Sequence, residues 1–360
     1  MKALLKKIIP IETRIFIRKV KKSINNQVLS MMSSSYLLSS LYYLLFNRNF
    51  RVEQKAVLTG RVVFDKRSKL PLDSSPQLRR NIHRLEKGLI MRPRRPVFAE
   101  AYIIETIDLY STVLTTGRIC DEELKWATDV LSLYFLNVEG SETIDLARKK
   151  YKEVQVKNKI NDNIKFVPFA RADSVFSELN YDEFTKLCLQ RRSVRWYEPE
   201  LVPDNLINKA LEAARTAPSA CNRQPFEFLV LNDNQKAPTV AAMPAGTAGF
   251  SNQVPCIIVV IGDLSCYPKE ADRHVIYIDS ALASMQFMLA LETLGLSSCP
   301  INWPENETKE KELHKIIPLP VHKRVIMMIS VGYAKPTGMI PYSSKKPLTL
   351  LRTSLEKYKS

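Results

Sequence analysis

A cluster of groups suited to binding phosphate lies at Arg191, Arg192, Ser193 and Arg195, where three arginines and a serine fall within five residues. Guanidinium groups bind phosphate oxygens through paired, charge-assisted hydrogen bonds, and a serine hydroxyl can add one more. The cluster therefore predicts a site for a phosphate ester.

A second segment, Pro218 to Phe226, follows a helical pattern and reads Pro-Ser-Ala-Cys-Asn-Arg-Gln-Pro-Phe. Asn222 and Gln224 each offer a hydrogen-bond donor and an acceptor, so they can bind the edge of a polar ring. The two segments together predict a ligand with a phosphate at one end and a hydrogen-bonding ring at the other.

In order and spacing, the segments resemble the signature of the FMN-dependent nitroreductase family, R-R-S-x-R-x-[FY], a helix, then A-P-S-x-x-N-x-Q-P-[WF]. The resemblance covers roughly residues 180–350. It implies an α+β fold with a central, mostly antiparallel sheet flanked by helices. It also implies FMN as the cofactor and a homodimer as the assembly.

The resemblance assigns the phosphate end of FMN to the first segment. Arg191 and Arg195 would hold the phosphate, Ser193 would donate to the phosphate or the ribityl chain, and Arg192 would contact the ribityl and pyrimidine side, partly through its backbone. Lys345 matches a later basic residue at the same phosphate, although the family more often has arginine there. The alternative is that Lys345 is simply exposed, like the lysine that follows it.

The resemblance also implies roles for the second segment. Its first three residues would approach the flavin of the partner subunit, and its two amides would lie near the flavin ring and ribityl groups; these residues are Pro218, Ser219, Ala220, Asn222 and Gln224. Cys221 lies in the same turn, where a small turn residue is favoured over a catalytic thiol.

The segment Cys299-Pro300-Ile301-Asn302 matches the family loop whose backbone N–H faces flavin N5. A donor there stabilises negative charge on the reduced ring. No catalytic side chain is assigned, and the backbone near Ile301 and Asn302 takes this role. Trp303 is either a stacking platform or a core residue, and both interpretations stay open.

The implied reaction is a ping-pong transfer in which NAD(P)H gives hydride to FMN and a small organic acceptor then takes the electrons. No G-x-G-x-x-G follows a strand, so a Rossmann dinucleotide domain is not indicated. Two alternatives remain: a different flavin reaction, such as flavin destruction or sugar-precursor dehydrogenation, and a binding scaffold.

The positive charge is concentrated in residues 1–100, which contain 22 Lys and Arg against 6 Asp and Glu and so carry the whole net charge of +16. Residues 1–50 read as one or two amphipathic helices with basic and apolar faces. Such helices suit an anionic membrane surface or another anionic ligand, or they pack on the protein body. Nucleic acid is disfavoured because no binding motif accompanies the charge.

A helix with leucine and isoleucine on one face is predicted from Leu78 to Leu89, with Gly88 as its stop. Arg79 is among the basic residues placed on the outer face, which is either a solvent face or a site for an anionic ligand such as a nucleotide-sugar or lipid phosphate. The Arg-Arg-Asn-Ile-His-Arg-Leu-Glu-Lys-Gly-Leu run of this helix resembles long nitroreductase-like proteins of bacterial surface-polysaccharide gene clusters. That resemblance implies a role in polysaccharide biosynthesis.

Two regions are predicted, a basic and mainly helical region at 1–170 and a nitroreductase-like FMN-binding domain at 171–360. In the first, a short strand is expected from Ala56 to Phe64, helices across 97–157 and a polar linker at 158–163. In the second, strands are expected at 226–231, 255–262 and 325–331, helices at 182–190, 205–215, 272–294 and 305–315, and a loop at 238–253.

The six cysteines lack C-x-x-C spacing, and the four histidines are scattered, so no metal site is predicted. Cysteines without paired spacing favour a reducing compartment. No stretch reaches the ~18 uninterrupted apolar residues of a spanning helix. The protein is therefore predicted to be cytoplasmic, with the basic region able to hold it peripherally at the inner membrane surface.

Overall fold

The computed structural model describes residues 10–69, 73–155 and 165–358. The chain divides into two compact units. One comprises the described residues up to Lys55 with Glu305–Lys311, and the other comprises Ala56–Pro304 with the described residues from Glu312 onwards. The predicted division near residue 170, between a helical region and a family domain, stays a prediction.

Two helices open the described chain, as predicted for residues 1–50. Helix α1 spans Ile11–Met32, and α2 spans Tyr36–Leu45. Ser35 begins α2, because its hydroxyl accepts a hydrogen bond from the backbone N–H of Leu38 at 3.2 Å. None of the residues of α2 is buried, although most are apolar.

Helix α3 spans Arg51–Lys69 and replaces the strand predicted from Ala56 to Phe64, so that prediction was wrong. Its valines and Phe64 favour a strand locally. However, Ala56, Gly60 and Phe64 recur every four residues and are all buried, which suits one face of a helix. A Cβ built on Gly60 would lie 2.8 Å from Cβ of Leu264, so this face packs closely.

A bundle of four helices follows: α4 (Pro76–Leu89), α5 (Glu100–Thr116), α6 (Asp121–Asn137) and α7 (Glu142–Gln155). This confirms the predicted helical pattern. The bundle has its own hydrophobic core, which includes Leu78, Ile82, Leu85, Ile107, Leu131 and Tyr134. The predicted linker at 158–163 lies outside the described residues.

Gly88 lies inside the last turn of α4 and does not stop the helix, which continues to Leu89. A Cβ built on Gly88 would lie 2.2 Å from the ring of Phe98. The glycine is therefore required by the close approach of the following chain, and the prediction of a helix stop was wrong.

The second half of the chain contains a four-stranded antiparallel sheet in the order β1-β2-β4-β3: β1 (Phe226–Leu231), β2 (Cys256–Asp263), β3 (Ser297–Asn302) and β4 (Lys323–Gly332). Every residue of β2 is buried, as a central strand requires. The helices of this half of the chain are α8 (Tyr181–Gln190), α9 (Asp204–Ala214), α10 (Lys236–Ala241), α11 (Val275–Thr293), α12 (Glu307–His314) and α13 (Leu348–Leu351). The predicted α+β fold class is confirmed.

Strand β2 supplies side chains to two hydrophobic cores because successive residues point to opposite faces of a sheet. Ile258 and Val260 join a core with residues of α9 and α11, including Ala210 and Phe287. Ile257, Val259 and Ile261 join another core, which contains Val240 of α10 and Trp303.

Two loops predicted from the sequence are partly regular structure. The segment 238–253 contains most of α10 and a short 3-10 helix at Ser251–Gln253. The segment from Cys299 to Asn302, predicted as a loop, belongs to the edge strand β3 and pairs with β4. Both loop predictions were wrong, because long-range pairing and packing decide the structure of these segments.

One helix of the described chain, Glu270–Thr293, is long and apolar enough to cross a membrane by length and composition alone, and it contains α11. A helix in a protein core passes the same test. Ile276, Phe287 and Leu291 pack into the core of the sheet domain, so α11 is a core helix. Its other face leaves Ile278 and Leu282 exposed.

Candidate functional site

The arginine segment begins where α8 ends. Asn180 and Glu183 form a reciprocal capping box at the start of α8, and Arg191 is its C-cap residue. Ser193 then forms a single parallel bridge with Ser298 of β3, and the backbone N–H of Val194 donates to the Ser298 carbonyl at 3.1 Å. The segment is thereby fixed along the edge of the sheet.

Tyr197 closes the segment on the other side. Its hydroxyl donates to the Val194 carbonyl at 2.7 Å, and its ring is almost fully buried. Tyr197 also forms a bridge with Ala334, just after β4. The backbone that carries Arg191 to Arg195 is therefore held between β3 and the end of β4.

Arg191 and Arg195 are half-buried cations on this fixed backbone. Arg195 donates to the Ser193 carbonyl at 3.2 Å and lies 5.9 Å from the centre of the Phe250 ring. Burial raises the pKa of the Cys299 thiol, and the charges of Arg195 and Arg191 counteract that rise. Both guanidinium groups therefore act electrostatically on β3.

Neither arginine forms an ion pair with a carboxylate within 4.0 Å in the described chain. The buried carboxylate of Glu292 acts on Arg191 through a longer electrostatic interaction. The hydroxyl of Ser298, bridged to Ser193, is buried and has no hydrogen-bond partner among the described residues. Two half-buried cations without a close ion pair, on a segment bridged to a strand that carries an unsatisfied buried hydroxyl, fit a phosphate ester, which offers several acceptor oxygens.

The side chain of Arg192 points elsewhere. Its guanidinium donates to the backbone carbonyls of Pro341 and Tyr342. Only the backbone of Arg192 is then available for the predicted contact with the ribityl and pyrimidine side of FMN. Lys345 and Lys346 are both exposed and lie in the tail, residues 333–358, which follows β4.

The segment Pro218 to Gln224 has an unusual backbone. Cys221, Asn222 and Gln224 have φ values of 53°, 51° and 50°, in the left-handed region that non-glycine residues rarely adopt. The amide of Gln224 donates to Oδ1 of Asn222 at 2.9 Å, and the backbone N–H of Gln224 donates to Oγ of Ser219 at 3.0 Å. The two amides predicted to face the flavin are therefore ordered against each other.

Asp279 of α11 holds the start of this segment, because its carboxylate accepts the backbone N–H of Ala220 at 2.9 Å. Burial raises the pKa of Asp279, and the hydrogen bond from Ala220 counteracts that rise. On the opposite side, Arg79 of α4 donates to the carbonyl of Asn222 at 2.8 Å. Sequence reasoning missed both residues, and it placed Arg79 on the outer face of the helix, which is wrong because its side chain is only 13% exposed.

Strand β3 carries the predicted backbone donor. Its Ser298 carbonyl points outward to Val194, and in an antiparallel strand the backbone groups alternate in direction. Those of Cys299 and Ile301 therefore face β4, and those of Pro300 and Asn302 face outward. Proline has no N–H, so Asn302 is the residue of this pair that can donate outward.

Trp303 is 5% exposed and packs in the hydrophobic core below the sheet. This favours core packing over a stacking platform. Cys221 is half-buried in the strained turn, which agrees with its interpretation as a turn residue. The structure thus brings the arginine segment beside β3, while the second segment is held by α4 and α11.

The sequence model of the nitroreductase family matches residues 188–241 and 234–333. A protein of Archaeoglobus fulgidus described as an NADH dehydrogenase/NAD(P)H nitroreductase is 31% identical over 159 residues, covering 43% of this chain and 87% of that protein. Human iodotyrosine deiodinase 1 is 22% identical over 220 residues, covering 52% of this chain and 74% of that protein. The chain belongs to the nitroreductase family.

Among solved structures, a nitroreductase from Desulfovibrio desulfuricans in complex with FMN is 25% identical. The match covers 47% of this chain and 95% of that one, with a TM-score of 0.41. An FMN-dependent nitroreductase from Clostridium difficile is 26% identical, covers 44% of this chain and 91% of that one, and has a TM-score of 0.38.

Proposed function

We propose that this protein is an FMN-dependent oxidoreductase that uses NAD(P)H to reduce a small organic acceptor by a ping-pong reaction. Family membership confirms the enzyme class and the cofactor predicted from the sequence. The observation that carries the site assignment is the pair of half-buried guanidiniums, Arg191 and Arg195, that form no close ion pair with a carboxylate in the described chain and lie beside β3.

When bound, FMN supplies the ring that accepts hydride and passes on electrons. The chain supplies binding and orientation. Arg191 and Arg195 bind the phosphate, and Ser193 donates to it or to the ribityl chain. The outward backbone N–H of Asn302 offers a hydrogen bond where negative charge develops on the reduced ring. Asn222 and Gln224 orient the polar edge of the flavin.

The absorption spectrum of the protein as purified tests this function. A flavin band that bleaches when NADH or NADPH is added under nitrogen is expected. The double variant Arg191→Ala/Arg195→Ala should purify with much less flavin, whereas Arg148→Ala, which alters an ion pair with Asp145 in the helical bundle, should keep it. A colourless wild-type protein that does not take up added FMN would contradict the proposal.

We further propose that the active form is a homodimer. Helix α11 exposes Ile278, Leu282 and Met285, and the tail exposes Met339, Leu348 and other apolar side chains. Apolar faces of this kind are typical of surfaces buried between subunits. Sedimentation equilibrium should give twice the chain mass, and Leu282→Asp should shift the protein towards monomer. A wild-type monomer at micromolar concentration would exclude this assembly.

The helices α1 and α2 support a second partner, an anionic membrane surface on the cytoplasmic side. Phe16, Val20 and Ile24 recur every four residues along α1, and all three are exposed. The same helix contains five Lys or Arg residues and a single acid, Glu12. An apolar stripe on a basic helix fits a bilayer with anionic lipid, to which each basic residue adds about 1 kcal/mol.

Flotation of the full-length protein with vesicles tests membrane binding. Binding to vesicles that contain phosphatidylglycerol is expected at low salt, with weaker binding at high salt and little binding to pure phosphatidylcholine. Phe16→Asp/Ile24→Asp should abolish flotation. Leu136→Asp changes an equally exposed leucine in the bundle, which is 82% exposed, and should not. No flotation at low salt would rule out the membrane.

The pathway proposal, surface-polysaccharide biosynthesis, rests on the resemblance of the α4 segment alone. A different flavin reaction, such as flavin destruction or dehydrogenation of a sugar precursor, is the alternative. The bulky Asn302-Trp303 pair and the basic first region suggested it, but Trp303 is buried in the core. Product analysis of the reduced enzyme under oxygen tests flavin destruction, because FMN that survives many turnovers excludes that reaction.

A further inference from the structure

An arginine of the helical bundle reaches the flavin motif. Nε of Arg79 in α4 lies 2.8 Å from the backbone carbonyl oxygen of Asn222, to which it donates a hydrogen bond. The same guanidinium donates from its NH1 nitrogen to Glu123 of α6 at 2.9 Å. The side chains of Arg79 and Glu123 are 13% and 1% exposed, so both bonds are shielded from water.

Glu123 is held by two further donors, which fix the arginine in turn. The backbone N–H of Ser75 donates to one carboxylate oxygen at 3.0 Å, and the hydroxyl of Ser74 donates to the other at 2.6 Å. The Arg79 guanidinium also lies 5.3 Å from the centre of the Trp126 ring. These contacts restrict the orientation in which Arg79 presents its Nε donor to Asn222.

The loop that receives this donor needs external support. Cys221, Asn222 and Gln224 all have left-handed backbone conformations, which are unfavourable for residues other than glycine and persist only where the surroundings hold them. Asp279 holds the loop at Ala220, before the strained residues. Arg79 holds it at Asn222, within them.

We propose that Arg79 is a positioning residue of the FMN site, which fixes the carbonyl of Asn222 and thereby orients the Asn222 and Gln224 amides towards the flavin. The inference rests on the proposed function, because it assumes that these amides contact FMN. Arg79 lies outside the residues matched by the family, 188–333. The helical bundle therefore contributes to the cofactor site as well as to the fold.

Two variants separate positioning from folding. Arg79→Lys keeps a cation for Glu123, but its single nitrogen on a shorter side chain cannot replace both the Nε donor to Asn222 and the NH1 donor to Glu123. Arg79→Met/Glu123→Gln removes the buried charge pair together, which avoids an uncompensated carboxylate. The control is Arg215→Ala, which breaks an exposed pair with Glu122 at 3.8 Å, between α6 and the end of α9.

Hydrogen–deuterium exchange of the FMN-free protein measures the local stability of the loop directly. The backbone N–H groups of Ala220, Asn222 and Gln224 are hydrogen-bonded within the loop or to Asp279, so they exchange faster when the loop loosens. Both Arg79 variants should increase this exchange by about 10-fold, as expected for the loss of about 1.4 kcal/mol of local stability. Arg215→Ala should not.

FMN binding supplies a second readout. The two Arg79 variants should weaken FMN affinity by about 10-fold and change the visible circular dichroism of the bound flavin. The melting temperature of Arg215→Ala should equal that of the wild type, and the melting temperature of the Arg79→Met/Glu123→Gln variant should lie within a few degrees of it. Wild-type exchange and affinity in both Arg79 variants would overturn the inference. A wild-type protein that does not bind FMN would instead overturn the proposed function, while the exchange comparison would still show whether Arg79 holds the loop.

Discussion

The hydroxyl oxygen of Tyr197 lies 2.8 Å from the hydroxyl oxygen of Ser330, in the buried centre of the sheet domain. Ser330 belongs to β4 and pairs with Cys299 of β3. Tyr197 ends the arginine segment and also donates to the Val194 carbonyl. This contact therefore joins the arginine segment to the two strands beside it.

Replacing Tyr197 by phenylalanine should leave the Val194 carbonyl and the Ser330 hydroxyl without a partner. We expect a loss of about 1–3 kcal/mol in the free energy of unfolding, measured by urea denaturation of the FMN-free protein. Tyr181→Phe is the matched control, because that tyrosine is 79% exposed and should change stability little. Equal stability of both variants would show that the buried contact contributes nothing.

Loss of an arginine proposed to bind the phosphate should weaken FMN binding. Each charge-assisted hydrogen bond contributes about 1.5–3 kcal/mol, so Arg195→Ala should raise the Kd for FMN by about 10- to 150-fold, as measured by quenching of flavin fluorescence. Arg192→Ala should have a smaller effect, because its guanidinium is bound to the carbonyls of Pro341 and Tyr342. The reverse order would assign the phosphate to Arg192.

Lys345 gives a separate test of the tail. If it binds the phosphate in the assembled protein, Lys345→Ala should weaken FMN binding by about 10-fold or more, since an ionic hydrogen bond is lost. Lys357→Ala, another tail lysine, serves as the control. Equal affinities in the two variants would show that Lys345 is simply exposed.

Ionisation of Asp279 should make the FMN-free protein less stable as pH rises. Burial raises its pKa in the folded protein, so between the ordinary carboxyl pKa and the raised one the folded state binds more protons than the unfolded state. Stability from this group is complete below about pH 4 and is lost as pH rises through the folded pKa. The advantage of Asp279→Asn over wild type should therefore grow from pH 4 to pH 8.

Asp129 serves as a control because its pKa is shifted in the opposite direction to that of Asp279. Burial opposes its ionisation, but the N–H of Phe166 and the ammonium of Lys125 outweigh burial and lower the pKa. Its contribution to stability is present at neutral pH and lost as pH falls below the ordinary carboxyl range. The free energy of unfolding of Asp129→Asn should therefore fall further below that of the wild type as pH rises. Parallel pH profiles for the two asparagine variants would contradict both assignments.

The close packing of Gly88 predicts a steric effect. A Cβ at this position would lie 2.2 Å from the Phe98 ring, so Gly88→Ala should destabilise the bundle by about 1–3 kcal/mol despite the better helix propensity of alanine. Gly246→Ala is the control, because nothing lies within 4 Å of its added Cβ. The melting temperature should be lower than that of the wild type in Gly88→Ala and unchanged in Gly246→Ala.

Local patterns predicted the elements whose burial follows a regular period. The spacing of Leu78, Ile82 and Leu85 gave α4, and the apolar run of β2 gave the central strand. The run from Ala56 to Phe64 failed, because its valines favour a strand while Gly60 and its neighbours pack a helix against Leu264. Which tendency prevails depends on contacts 200 residues away in sequence, which no local pattern contains.

The candidate site was predictable to the extent that it consists of contiguous motifs. Arg191, Ser193 and Arg195 stand out by type and spacing alone. Arg79 and Asp279 do not, since each acts on a backbone group 143 or 59 residues away. Arg79 in particular looks like one basic residue among several on a helix, and only its long-range partners distinguish it from a solvated side chain.

Pro300 has a consequence for how chains of this protein meet. Strand β3 is an edge of the sheet, and Pro300 is exposed on it without an N–H to offer. Beside it, the bridge between Ser193 and Ser298 occupies the start of the same edge. An incoming strand would find a gap in the hydrogen-bond ladder, so this edge resists the strand-to-strand stacking that leads to aggregation.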